Sequence, residues 1–152
     1  MSFCLSKGLA CPVGSVLTGS ADAIAAGRRW RKMLGGGMRQ AGVLAAAGLV
    51  ALEKGPKRLQ EDHDNARVLA EQLAQTSGIT LNAAKVHTNI VIFSVKKSGL
   101  SSADFLARLA KQQVLAVPVD ANRVRMVTHL DVNRTQIENA VAVVREVVKA
   151  GK

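Results

Sequence analysis

The residue with the most chemistry in this chain is Lys7, in the run Cys4-Leu5-Ser6-Lys7-Gly8-Leu9. An amine on a desolvated strand-to-loop junction can be held partly neutral, and a neutral amine can form an imine with an aldehyde. The apolar residues before Lys7, the room that Gly8 leaves for a bulky group, and the turn-forming Pro12-Val13-Gly14-Ser15 all suit that use. A lysine taken at random is far more often a solvated surface residue, so Lys7 needs company. Arg125 is the second candidate. On a strand Val124 to Thr128, period-two alternation puts Val124 and Met126 on one face and Arg123, Arg125 and Val127 on the other. Arg125 then points away from the core, where its planar fork can grip a carboxylate bidentately. Taken alone, a solvated arginine on a strand face explains it as well.

Other residue types exclude more than they suggest. Cys4 and Cys11 have no His or further Cys at ligand spacing, which supports neither a zinc site nor a disulfide framework and makes a reducing compartment the default. His63, beside Glu61, Asp62 and Asp64, reads as a capping or ion-pair histidine. His87 and His129 fall near strand ends without a metal-ligand partner. The net charge of +10 invites a nucleic-acid reading, and Arg28 to Lys32 sets four cations around Trp30. On a helix those cations spread round most of the circumference, and with 3% aromatic residues and no tyrosine there is no stacking platform to accompany them. The longest apolar stretch, Ala41 to Leu52, falls short of the ~20 residues that span a bilayer. Residues 1 to 20 lack a basic start followed by a sustained apolar run, so no secretory signal is expected.

The elements that must position these groups follow from pattern and punctuation. Phe3 to Leu5 reads as a strand and Val13 to Leu17 as its return, with Pro12, Gly14 and Gly19 marking the turns. A helix runs from Asp22 to Trp30 and is ended by Gly35-Gly36-Gly37. A second, Met38 to Lys54, is apolar nearly all round and must be surrounded by neighbours. Pro56 suits the first position of a third helix, whose stripe is Leu59, Ala66, Leu69, Ala70 and Leu73 and which ends before Gly78. Beyond it, Ile79 to Leu81, Asn89 to Val95 and Val124 to Thr128 read as strands. Ser101 to Gln112 reads as a helix with Ser101 and Asp104 at capping-box spacing. Asn133 caps a last helix striped by Ile137, Ala140, Val141, Val144 and Val148. The alternation predicts a small α/β layer, one sheet with helices on a face.

Longer blocks carry a resemblance. Ser6-Lys7-Gly8-Leu9 with Pro12-Val13-Gly14-Ser15, Arg29-Trp30-Arg31-Lys32-Met33, Gly35-Gly36-Gly37-Met38-Arg39-Gln40, Glu61-Asp62-His63-Asp64-Asn65-Ala66, Thr88-Asn89-Ile90-Val91 and Val124 to Val132 together resemble the threonine aldolases over essentially the whole chain. Those are pyridoxal-phosphate lyases of the aspartate-aminotransferase-like fold. The resemblance implies an α/β chain corresponding to the C-terminal portion of that fold: residues 1–54 as the remainder of the large cofactor-binding domain and 55–152 as the small C-terminal α/β domain.

It implies pyridoxal 5'-phosphate as cofactor, Lys7 as the Schiff-base lysine and Arg125 as the arginine gripping the substrate carboxylate. Lys32 and Arg39 match basic positions near the active site, Lys32 toward substrate and Arg39 toward cofactor, with service to a neighbouring subunit one reading of both. The implied reaction is retro-aldol cleavage of L-threonine or L-allo-threonine to glycine and acetaldehyde. The family region ahead of the lysine is not matched, so these 152 residues alone are expected to bind the cofactor weakly and to have little or no activity. A homo-oligomer, or association with full-length subunits as a non-catalytic module, is the partner expectation, with neither nucleic acid nor membrane. The cytoplasm is the expected compartment, a mitochondrial location being left open.

Overall fold

The computed structural model describes Met1 to Gly151, and these residues divide into two compact units, Met1–Leu59 and a second that begins at Gln60. In the first, β1 (Ser2–Cys4) and β2 (Ser15–Leu17) form an antiparallel hairpin with Ser2 opposite Leu17. Helix α1 (Ala21–Met33) follows, its N-terminus capped by the Ser20 hydroxyl, which accepts from the Ala23 amide. It lies close against the hairpin where it has no side chain: a Cβ on Gly27 would come within 2.9 Å of Leu17 Cδ2. At its far end the Gly36 amide donates to Arg31 O and the Gly35 amide to Lys32 O, with Gly35 at φ +80°. Those two bonds form a Schellman cap, which explains why the helix stops at the glycine triplet.

The next helix corrects the sequence reading. Pattern predicts one helix ending at Lys54 and another beginning at Pro56, whereas a single helix α2 runs from Gly42 to Ala74 with Pro56 inside it. An interior proline removes a backbone hydrogen bond and costs about 3 kcal/mol. Here the helix on either side of it is held by tertiary packing, Ala51 being buried in the first unit and Asp62, Asn65, Ala66, Leu69, Ala70 and Leu73 in the second. Packing outweighs the local penalty. Val43, Leu49, Val50 and Leu52 of α2 are exposed, the apolar surface that a helix apolar nearly all round presents where no neighbour encloses it. No helix among the described residues is long and apolar enough to cross a membrane.

The second unit holds most of the core. Strands β3 (Ile90–Ser94), β4 (Val117–Pro118) and β5 (Arg123–Val127) form an antiparallel sheet in the order β3-β5-β4, with Ile92 opposite Arg125. Helices α3 (Ser102–Lys111) and α4 (Arg134–Lys149) contribute Phe105, Leu109, Ile137, Val141, Val144, Val147 and Val148 to the core that receives Val91, Phe93, Val124 and Met126 from the sheet. Phe93 and Phe105 meet edge to face with ring centroids 6.0 Å apart. The Ser101 and Asn133 caps form as their side chains predict, Asn133 in a reciprocal box with Gln136. The segment Ile79 to Leu81 is no strand. It makes one bridge, Thr80 with Ser94, before a 3₁₀ turn capped by Asn82 diverts the chain.

Candidate active site

Lys7 stands at the head of a tight loop that its own backbone closes. The Ala10 amide donates to Lys7 O at 2.8 Å, the Cys11 amide to Leu5 O at 3.1 Å, and the Leu5 amide to Gly14 O at 2.9 Å. Ala10 takes φ +57° to make the turn, a conformation that a side chain disfavours. Leu5 and Cys11 are buried beneath the loop with Ala51 of α2, and Lys7 projects outward, exposed. The desolvation expected at Lys7 is therefore not supplied by the first unit. The expected purpose of Gly8 changes as well: a Cβ there would come within 2.8 Å of Leu59 Cδ2, so the glycine serves close packing against α2.

The other basic candidates of this unit lie further along. Lys32 is in the last turn of α1 and exposed, its stem crossing over Gly37, where a Cβ would meet Lys32 Cδ at 3.0 Å. Arg39 lies in the loop between α1 and α2, outside the helix that pattern starts at Met38. The only acids of the unit are Asp22 and Glu53, so its surface favours an anion.

Arg125 belongs to the second unit. On β5 it faces away from the core as alternation predicts, on the open side of the sheet with Ile90, Ile92 and Val127. Its neighbour Arg123 is engaged: Nε donates to Asp120 Oδ2 at 2.6 Å. The Asn122 amide and that guanidinium together hold the Asp120 carboxyl below its usual range. Arg125 has no such partner among the described residues, which leaves its donors available. The strand under it is fixed by a buried knot that pattern reading misses. Thr128 donates its hydroxyl to Asp62 O at 2.7 Å and its amide to Asn89 O at 3.0 Å, while Asn89 Nδ2 donates to Thr128 O at 2.8 Å. Both ends of this knot lie in blocks that carried the resemblance, so their pairing was the available signal.

The histidines stay outside this picture. His129 Nδ1 lies 3.3 Å from Asp131 Oδ2 in a local turn, and His63 and His87 share a shallow hollow with Arg67 and Glu71. No group of side chains able to hold a metal ion occurs among the described residues.

Residues 1–96, the segment that includes the Lys7 loop, α1 and α2, match the family model described as Beta-eliminating lyase. The chain belongs to that family. Among relatives of this lyase-family chain, the low specificity L-threonine aldolase of Escherichia coli is 44% identical over 141 residues, covering 93% of this chain and 40% of the enzyme. The low-specificity L-threonine aldolase 1 of Arabidopsis thaliana is 42% identical over 135 residues, covering 88% and 38%. The chain thus spans about two fifths of the length of the curated relatives it matches.

Solved structures extend the likeness to the fold. A Listeria monocytogenes protein provisionally described as an L-allo-threonine aldolase superposes with TM-score 0.74 at 17% identity, covering 99% of this chain and 44% of that one. A protein solved as SPT with PLP gives 0.75 at 16% identity, covering 99% and 39%. The fold of this lyase-family chain is accordingly a mixed α/β portion of the pyridoxal-phosphate-dependent fold type I.

The groups present fit such a cofactor in kind. An exposed amine on a closed loop suits an aldehyde, and a unit rich in Lys and Arg and poor in acids suits a phosphate.

Proposed function

We propose that this chain is part of a pyridoxal-phosphate-dependent lyase that cleaves L-threonine or L-allo-threonine to glycine and acetaldehyde. The observation that carries the reading is Lys7 itself: an amine without a hydrogen-bond or ion-pair partner among the described residues, presented outward by a loop that three backbone bonds close, inside the segment that matches the family model. The low specificity L-threonine aldolases among the relatives give the substrate class.

In this reading Lys7 Nζ is the group that would hold the cofactor covalently. Arg125 takes the substrate carboxylate in its planar fork, which fixes the orientation of the other bonds at Cα. Lys32 supports substrate charge and Arg39 cofactor charge. Pyridoxal phosphate, when bound, supplies the electron sink for the pair released as the Cα–Cβ bond breaks. Exposed Val43, Leu49 and Val50 on α2 favour an assembled enzyme, in which apolar surface of that kind is covered by further protein. Sedimentation velocity on the purified chain checks the assembly, a clean monomer counting against it.

Reduction with borohydride in the presence of pyridoxal phosphate, followed by peptide mapping, tests the covalent role. Label concentrated at Lys7 over the other lysines supports it. Label spread evenly, or concentrated elsewhere, overturns it.

A further inference from the structure

The loop that carries Lys7 rests on one face of α2. Gly48, Ala51, Gly55 and Leu59 recur every three or four residues, so they share one side of the helix. Each meets the loop or lies beneath it. A Cβ on Gly48 would meet Leu5 Cδ1 at 3.2 Å, and one on Gly55 would meet Leu9 Cδ2 at 2.7 Å. Ala51 is buried with Leu5, and Leu59 blocks any side chain at Gly8. Beside this seam, Arg58 Nη2 donates to the carbonyl oxygen of Gly8 at 3.3 Å, across fifty residues of sequence.

We propose that Arg58 is a positioning residue for Lys7. The small-residue seam sets how deep the loop lies, but apolar contact has no direction and lets the loop slide. A hydrogen bond to the carbonyl of the residue immediately after Lys7 has direction: it fixes the Gly8–Leu9 peptide plane, and through the Gly8 backbone it restrains the peptide that follows Lys7. The guanidinium keeps its charge at every working pH, so the latch does not depend on pH. The inference rests on the covalent reading of Lys7 and deepens it.

The test uses the full chain and its Arg58→Met and Arg58→Lys variants. Two readouts are taken: amide hydrogen exchange at Ala10 and Cys11, whose bonds close the loop, and the rate of pyridoxal-phosphate labelling at Lys7. In labelling, the amine and aldehyde join with loss of water, and borohydride adds hydride to the resulting C=N carbon. Arg58→Met is expected to speed exchange at both amides about tenfold, the lower bound for a hydrogen bond made by a charged donor at this length. Labelling at Lys7 should slow by a similar factor, and Arg58→Lys should restore part of each effect. Arg58→Met with either readout unmoved, or no rescue by lysine, overturns the positioning role. A parent chain in which Lys7 labels no faster than the other lysines overturns the covalent reading and this role with it. Exchange at Ala10 and Cys11 then still reports whether the latch itself exists, which tells the two failures apart.

Discussion

Gly78→Ala tests how closely the core of the second unit is fitted. Gly78 follows α2 at φ +92°, a region that costs a residue with a Cβ about 1–2 kcal/mol. The added methyl would also stand 2.6 Å from Val148 Cγ1, 3.2 Å from Ser98 Cβ and 3.3 Å from Ser98 Cα. Neither neighbour can step aside easily. Val148 is β-branched and buried in α4, and Ser98 is pinned by its hydroxyl, which donates to Val95 O at 2.6 Å and accepts from the Leu100 amide. Overpacking of this kind costs about 1–3 kcal/mol, so the total is about 2–5 kcal/mol. Gly99→Ala separates the two contributions. Gly99 has φ +79°, yet its Cβ would meet only Gly151 O, at an ordinary 3.8 Å, leaving backbone strain alone at about 1–2 kcal/mol. Urea unfolding of both variants, followed by far-ultraviolet ellipticity, reads the difference. With a slope of about 1.5 kcal/mol/M, the midpoint should fall by about 1 M for Gly99→Ala and by about 1.5–3 M for Gly78→Ala. Equal midpoints for the two variants would show that the Val148 and Ser98 contacts relax at no cost, and the packing argument would be wrong.

Three further outcomes follow from local geometry. Ala10→Gly should stabilise the Lys7 loop by up to about 1 kcal/mol, because φ +57° is strained for alanine and the entropy lost by glycine offsets only part of the relief; a lowered melting temperature contradicts this. Thr128→Val should cost about 1–2 kcal/mol by removing the buried donor to Asp62 O, and Thr128→Ser should recover most of it in the same urea assay. Asp120 is held below the ordinary carboxylate value of 3.8, first by the Asn122 amide and then by Arg123. A depressed carboxyl contributes stability above its unfolded value and loses it as pH falls through the folded one. Hydrogen exchange at Asn122 and Arg123 should therefore accelerate below about pH 4 in the parent. In Asp120→Asn that step should vanish; an unchanged pH profile would remove the carboxylate from the explanation.

Much of the second unit was legible in sequence because its signals are local. The alternation around Arg125 gave the correct outward face, and Ser101 and Asn133 announced their helices by the bonds they later make. The failures are of another kind. Pro56 looks like a helix start because its penalty is local, while the packing that overrides it, from Ala51 to Leu73, is not. Val117 and Pro118 are too short a run to signal β4, which exists only because β5 offers it an edge. Ile79 to Leu81 has strand composition but no neighbour along its length beyond the Thr80 bridge.

The candidate site divides along the same line. Lys7 and Arg125 were visible as residue types in recognisable blocks, but what holds them was not. Gly48 and Gly55 stand out in a helix only as weak helix formers and Ala51 not at all, and their use appears once Leu5 and Leu9 are laid over them. The first unit buries few apolar side chains, Leu5, Cys11 and Ala51 forming its core cluster, against the much larger cluster of the second. A segment with so little buried surface cannot fix a side chain by core packing. Directional bonds must then define the Lys7 loop: three within its backbone and one from Arg58. If exchange at Ala10 and Cys11 proved as slow as that of Val91 or Phe93 in the sheet, loop and core would be one cooperative structure, and the weight placed here on individual bonds would be misplaced.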